Sequence, residues 1–421
     1  MATSSESVWD DAALRRAIRL LGAHASRIDD PLATARALRL VWDIAQRRGA
    51  ATEIFQLPGT MPLVIVGNGP ILLITHLDDP HPAAQVEEPS PPSITGEVVS
   101  APGITRKAGV LAALGAILSD DEIAGQVTLV VEADRHQGSL ALGYWIDATE
   151  RSFQAAVCEV SDLPVPAPSI YLASTGVATI RITVSDSGQR IERAYGGVVP
   201  DVGHQLVAAL ASLKSVEGEV LVPQFYDGAI TPEVEGLATL QRVASSVGAW
   251  LTRGVPPSED RLSSSHLTLG AFLAPSITIR EYSLDGKGPY LANQASAVVE
   301  ARIMPGQDVG TIARSIETHV INRIPTATVR TILSRPSSRS TMLDEQQLEQ
   351  IAQVIPVAAG NSPAGLLDGL GIPTVGVSTV WRDPALIQEQ VTISGVAEGS
   401  RALQTLIRHL ATATNGRETS R

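Results

Sequence analysis

The chain has 421 residues, 44% hydrophobic and 18% charged, which is typical of a globular protein with room for two domains. A net charge of −12 with no basic cluster excludes a nucleic-acid partner. No apolar run reaches the roughly 18 residues that span a bilayer, and residues 1–30 lack a signal-peptide layout. We therefore expect a cytoplasmic protein without a membrane partner. Cys158 is the only cysteine, which excludes an intrachain disulfide and a cysteine-based zinc site.

The first part of the chain alternates helical and strand patterns. Apolar residues at three- and four-residue spacing predict helices over 10–25 and 30–48, each behind an Asp suited to N-capping. Short apolar runs predict buried strands at 62–66, 71–75, 127–133 and 155–160, with a helix of small residues at 108–118. This alternation indicates an α/β layer structure with a largely parallel sheet.

After residue 176 the pattern changes. Half-exposed strands are predicted at 177–185, 266–273, 297–303 and 327–333, with helices at 201–214 and 310–321. The order β-α-β-β-α-β is ferredoxin-like, with an extra helical insert near 232–252. The remainder returns to the alternation of helices and buried strands seen in the first part, with a helix at 344–355, a strand at 374–378 and a helix at 395–412. The second domain is therefore predicted to be inserted into the first.

Five segments, in this order, carry a resemblance to a known family: ILLITHLDD (71–79), GITRKAGVLAALGAIL (103–118), VTLVVEADRHQGS (127–139), ASAVVEARIMPGQD (295–308) and GNSPAGLLDGLGIPTVGVS (360–378). The chain resembles the zinc-dependent aminoacylase, acetylornithine deacetylase and dipeptidase family of metallopeptidases, and FYDGAITPE (225–233) is similar to part of its lid domain. The resemblance implies a three-layer α/β/α zinc-exopeptidase-like domain (1–175 and 336–421) with an inserted ferredoxin-like α+β lid, or dimerisation, domain (176–335). It also implies a homodimer formed through the lid.

By this resemblance, His76 binds one zinc and Asp78 orients it, as a ligand His requires. The alternative is a His that is merely hydrogen-bonded at a strand end. The family's bridging aspartate is replaced by Thr105, whose neutral hydroxyl cannot supply the anion that two divalent ions share.

The family's general base and adjacent zinc ligand, both glutamates, correspond to Arg135 and His136. Arginine stays protonated and cannot act as a base, whereas His136 can still coordinate zinc. Asp134 could take the base's role through a one-residue slip, but such a slip turns every strand side chain to the other face.

A further zinc carboxylate is expected at Glu159, with Asp162 as a substitute, although an ordinary solvated carboxylate fits equally well. The last histidine ligand, counted back from Glu389, falls on Ala385, which has no ligand atom. In the lid, the residues expected near substrate are Asn293 and Arg302, each with a structural role as its alternative. We therefore expect no zinc or a single zinc, and not a two-zinc site.

These losses lead to three functional hypotheses. The first is a non-hydrolytic or repurposed homologue that takes a small-molecule or peptide ligand. The second is a metal-dependent hydrolase of peptide or N-acyl amino acid amide bonds, with a rebuilt one-metal site of His76, His136 and Glu159 or Asp162. The third is another reaction, such as amide transfer, in which Arg135 binds a carboxylate or phosphate. Resemblance of fold does not choose among them.

Overall fold

The structure is a computed structural model, and it describes residues 11–24, 30–79, 91–160, 168–251, 267–286, 288–340, 343–380 and 389–418. Contacts divide the chain into two compact units. The first contains Met1–Ser174, Pro232–Thr268 and Arg339–Arg421, and the second contains Thr175–Thr231 and Leu269–Ser338. The segment Pro232–Thr268, placed inside the lid by the sequence analysis, groups with the first unit. No helix of the described residues is long and apolar enough to cross a membrane.

The helices are α1 (Asp11–Gly22), α2 (Pro31–Arg47), α3 (Ile104–Leu118), α4 (Asp121–Gln126), α5 (Leu140–Ala148), α6 (Val202–Ala211), α7 (Val234–Leu251), α8 (Val309–Ile321), α9 (Glu345–Glu349) and α10 (Ile393–Glu418). The strands are β1 (Thr52–Phe55), β2 (Leu63–Gly67), β3 (Ile71–His76), β4 (Ser93–Thr95), β5 (Val98–Ser100), β6 (Val127–Glu132), β7 (Ala155–Glu159), β8 (Ser169–Tyr171), β9 (Ala173–Ser185), β10 (Ser276–Leu284), β11 (Gln294–Ile303), β12 (Thr328–Arg335), β13 (Ser338–Arg339), β14 (Gln353–Ile355), β15 (Ala358–Asn361), β16 (Thr374–Ser378) and β17 (Gln390–Thr392).

The first unit is built on an eight-stranded sheet in the order β1-β2-β6-β3-β7-β16-β8-β14. The central strands β6, β3, β7 and β16 run parallel, while β1, β2 and β8 add antiparallel pairs. Strands β3, β6 and β7 are buried along their whole length, as expected for a parallel sheet covered on both faces.

Alternate residues of these strands enter two apolar clusters. Leu73, Val131 and Val157 pack with residues of α1, α2, α3 and α10. Leu72, Ile74 and Cys158 pack on the other face with residues of α5. The sheet therefore has a layer of helices on each side, which is the predicted α/β/α arrangement, and Cys158 is a core residue.

The second unit has the sheet order β10-β11-β9-β12. All three pairings are antiparallel, and apolar residues of α6 and α8 pack on one face. With α6 following β9 and α8 between β11 and β12, this is the predicted ferredoxin-like order.

Two predicted elements are wrong. The strand predicted over 266–273 starts outside the described residues, and Leu269–Leu273 is a π-helical turn. The strand that pairs with β11 is β10, further along the chain. The helix predicted over 344–355 ends at Glu349, because Gln353–Ile355 extends to pair in parallel with β8.

Candidate metal centre

His76 is the last residue of β3 and is completely buried. Its Nδ1 lies 3.0 Å from Oδ1 of Asp78, which is also fully buried. A carboxylate has no proton to give, so Nδ1–H donates and Nε2 is left with the lone pair that a metal requires. Burial and the nearby charge of Arg135 lower the pKa of His76 to about 3, although the bond to Asp78 opposes this shift. The ring is therefore neutral near pH 7.

Asp78 holds both histidines of the site. Its second oxygen, Oδ2, accepts a hydrogen bond of 2.8 Å from the main-chain nitrogen of His136. Burial by itself raises the pKa of Asp78, but the hydrogen bond and charge of His76 and the contacts with His136 hold it below its usual range. Since both oxygens accept hydrogen bonds, the geometry supports an orienting role for Asp78.

His136 lies in a 3-10 turn (Arg135–Gln137) that follows β6. Its ring centroid is 5.7 Å from that of His76, and the ligand atoms of His76, Asp78 and His136 all lie within 4.8 Å of one another. This is the one group of three or more potential metal ligands among the described residues. The arrangement can hold a metal ion through two imidazole nitrogens.

Arg135 points into the protein and is 2% exposed. Its Nε donates to Oε1 of Glu132 at 2.9 Å, and its Nη1 donates to the main-chain oxygen of Glu159 at 2.6 Å. Burial is the largest single influence and lowers the pKa of Arg135, but the charge and hydrogen bond of Glu132, together with the charges of Asp78 and Glu159, outweigh burial and raise it. The residue that the sequence resemblance predicts at the general-base position is thus a permanent, internally paired cation. A ligand anion would have to reach a guanidinium that is buried and already paired with Glu132, which weakens the third hypothesis.

Glu159 ends β7 and lies outside the group formed by the histidines. Cys158, the preceding residue, packs on the same face as Ile74, and because side chains alternate along a strand, Glu159 faces the other side. Its Oε1 accepts from Oγ1 of Thr379 at 3.1 Å, and the absent side chain of Gly109 in α3 leaves room for the carboxylate. The predicted substitute, Asp162, lies outside the described residues.

Thr105 lies in the first turn of α3, and its Oγ1 has no hydrogen-bond partner among the described residues. Its main-chain nitrogen donates to Oε2 of Glu389 at 3.3 Å, and Arg106 pairs with Oε1 of Glu389 at 3.3 Å. The residue predicted at the bridging position thus offers a hydroxyl and no carboxylate. Ala385 lies outside the described residues.

Two acidic residues beside the centre add to what the sequence indicated. The pKa of Asp134 is raised to about 7, first by burial and then by the charge of Glu132. The sequence predicts Asp134 only as a substitute base and predicts no role for Glu132. The sequence feature that could have indicated this pair is the three-residue spacing of Glu132 and Arg135. Oppositely charged side chains at this spacing can meet where a strand is followed by a helical turn.

The residues predicted near substrate belong to the second unit. The main-chain nitrogen of Asn293 donates to Oδ1 of Asp285 at 2.9 Å. Nη2 of Arg302 donates to the carbonyl oxygens of Gly270, at 2.7 Å, and Ala274, and burial lowers the pKa of Arg302 to about 10. These contacts give both residues a structural role within their own unit, and a role in binding substrate stays a prediction.

This layered α/β domain, with a ferredoxin-like second unit, has the fold of the M20 metallopeptidases. The chain is similar to the M20 family metallo-carboxypeptidase Sso-CP2 from Sulfolobus solfataricus, with a TM-score of 0.78 and 16% identity over 96% of this chain and 99% of that one. It is also similar to human carnosine dipeptidase 1 (TM-score 0.73, 16% identity, 95% and 97% covered). The dipeptidase Dug1p from Saccharomyces cerevisiae gives a TM-score of 0.73 and 14% identity, with 96% and 95% covered.

No protein-family model and no curated protein sequence matches the chain. The predicted resemblance to the zinc aminoacylase and dipeptidase family is confirmed at the level of the fold. Because these identities are low, the activity has to be argued from the site itself.

Proposed function

We propose that this protein is a non-hydrolytic or repurposed homologue of the two-zinc aminoacylases and dipeptidases, without their amidohydrolase activity. The observation that carries the proposal is the buried guanidinium of Arg135, paired with Glu132, because the sequence resemblance predicts the general base at this position. General-base catalysis supplies roughly 10²- to 10⁴-fold in rate, and a group that never loses its proton cannot supply it.

The residues present do not fit a paired-zinc centre. Two metal ions about 3.5–4 Å apart share a bridging anion, and Thr105 offers only a hydroxyl. The charge of Arg135 also opposes a second cation nearby, since unit charges 4 Å apart interact by about 4 kcal/mol at an effective dielectric of 20. A single metal fits better, held by His76 and His136 with Asp78 fixing both residues.

A metal count combined with turnover assays tests the proposal. Purified protein is reconstituted with zinc, dialysed and analysed by mass spectrometry, then assayed on dipeptides and N-acetylated amino acids. We expect at most one zinc per chain and no turnover above a matched His76→Ala, His136→Ala double variant. Two retained zinc ions together with turnover would refute the proposal.

The proximity of His76 and His136 favours a second candidate, a hydrolase with one metal. A catalytic zinc usually has three protein ligands and a water. The described residues offer the imidazoles of His76 and His136 and the carboxylate of Asp78, which already accepts hydrogen bonds from both histidines. In this case the wild type turns over substrate, and His76→Ala and His136→Ala each abolish both zinc retention and turnover. His204→Ala, a change at an exposed position in the first turn of α6 in the second unit, serves as the matched control.

A further inference from the structure

Two oxygen atoms of the kind that bind hard metal ions contact the guanidinium of Arg135. Oε1 of Glu132 and the main-chain oxygen of Glu159 lie 2.9 Å and 2.6 Å from its nitrogens. The charges of Asp78 and Glu159 also stabilise the guanidinium. Carboxylate and carbonyl oxygens are the ligands that hard divalent cations such as Ca²⁺ select.

The Glu132 carboxylate can accept more hydrogen bonds than Arg135 donates to it. Its carboxylate is completely buried, and its Oε2 has no hydrogen-bond partner among the residues that the structure describes. A buried carboxylate with an unsatisfied oxygen is costly unless a cation compensates for it. Arg135, which forms an ion pair with Glu132, is the cation that compensates for this buried carboxylate.

We propose that Arg135 occupies a cation site formed by the Glu132 carboxylate and the Glu159 carbonyl oxygen, and that a divalent, oxygen-binding cation enters this site once the guanidinium is removed. Arg135 then supplies the positive charge that a metal ion would supply. The ligand atoms of this site are oxygens, whereas those of the neighbouring His76–His136 pair are imidazole nitrogens. This inference extends the proposed function, which rests on the same arginine.

The test removes the side chain and restores charge and shape separately. Arg135→Ala is compared with the wild type by thermal unfolding in buffer treated with a chelating resin. Loss of one partner of a buried pair predicts a melting temperature lower by roughly 5–10 °C. Calcium chloride and methylguanidinium should each restore at least half of this loss, whereas N-methylurea, which resembles the guanidinium in shape without its charge, should restore none.

Two further variants are matched controls. Arg135→Met fills the space without a charge. Its melting temperature should be lower than that of the wild type, and calcium should raise it by less than it raises that of Arg135→Ala. Glu132→Gln combined with Arg135→Met removes both charges and should show no calcium response, with a melting temperature closer to that of the wild type. If Arg135→Ala does not fold, the readout is the yield of folded protein after refolding with and without calcium or methylguanidinium.

Equal rescue by methylurea, or the absence of a calcium effect in both readouts, would overturn the inference and leave an ordinary buried ion pair. This outcome is independent of the turnover assay. A wild type that hydrolyses dipeptides refutes the proposed function, whereas a calcium response of Arg135→Ala supports the cation site whether or not the wild type is active.

Discussion

At the residue scale, the pair His76–Asp78 was predictable because both members lie within three residues of one strand end. The pair Glu132–Arg135 was not predicted, because which partner a long side chain reaches depends on how the chain turns after the strand. The grouping of Glu159 with the histidines was predicted by resemblance to the family's ligand set, and the structure does not bring these residues together. Which side chains meet depends on the face of the sheet that each strand residue points to and on the helix that packs on that face. The spacing of apolar residues along the chain does not determine either.

The close approach of α3 to Glu159 predicts a sensitive glycine. A Cβ at Gly109 would lie 1.6 Å from Oε1 of Glu159, so Gly109→Ala must displace a buried carboxylate that also bonds to Thr379. We expect a loss of about 1–3 kcal/mol in the free energy of unfolding, measured by urea denaturation. Gly143→Ala in α5, where nothing lies within 4 Å of the added carbon, should be neutral or stabilising. Equal effects of the two changes would contradict this explanation.

At the scale of elements, the segments with a strong apolar period were predicted well, whereas the ends of elements that contain polar residues were not. The helix predicted over 108–118 begins at Ile104, because Arg106 and Lys107 are buried beside carboxylates instead of marking a loop. Strand β1 was missed because its residues are largely exposed and have no apolar period. The errors at 266–273 and 344–355 arose where short apolar runs fit either type of element.

The buried start of α3 predicts a pH dependence of stability. Burial lowers the pKa of Lys107 from 10.5 to about 8, although Asp79 and Glu389 partly oppose the shift. Between pH 8 and 10.5 the unfolded chain therefore binds a proton at Lys107 that the folded chain does not, so the contribution of Lys107 to stability rises with pH. The Cys158 thiol, whose pKa burial raises to about 12, acts in the opposite direction above pH 9. The contribution of Lys107 should be on the order of 3 kcal/mol, measured as the difference between the wild type and Lys107→Met in urea unfolding across this range. Lys107→Met should flatten the rise, and an unchanged slope in this variant would exclude Lys107 as its source.

At the scale of the whole molecule, the order of elements carried the most information. The change from buried strands to alternating strands and back indicated an inserted domain, and β-α-β-β-α-β gave the topology of the second unit. The sequence did not indicate that Pro232–Thr268 groups with the first unit. A local helical pattern such as that of α7 does not specify which distant core it packs against.

The second unit leads to a prediction about assembly. Strand β10 forms one edge of its sheet, and Ile279 and Tyr282 on this strand are 50% and 43% exposed. An exposed apolar edge strand favours pairing with another chain. We expect a homodimer, and Ile279→Lys should shift the sedimentation-equilibrium mass from two chains to one. Ile332→Lys on β12, at the opposite edge, should stay dimeric. A monomeric wild type would exclude the dimer.

The ion pair between Glu132 and Arg135 also constrains how this protein could evolve. A glutamate at position 135 would bury a second carboxylate beside Glu132 with no counter-charge, so this single change is expected to destabilise the protein strongly. By the proposed function, a variant that gains a general base at this position therefore needs a second substitution that offsets the loss of the ion pair.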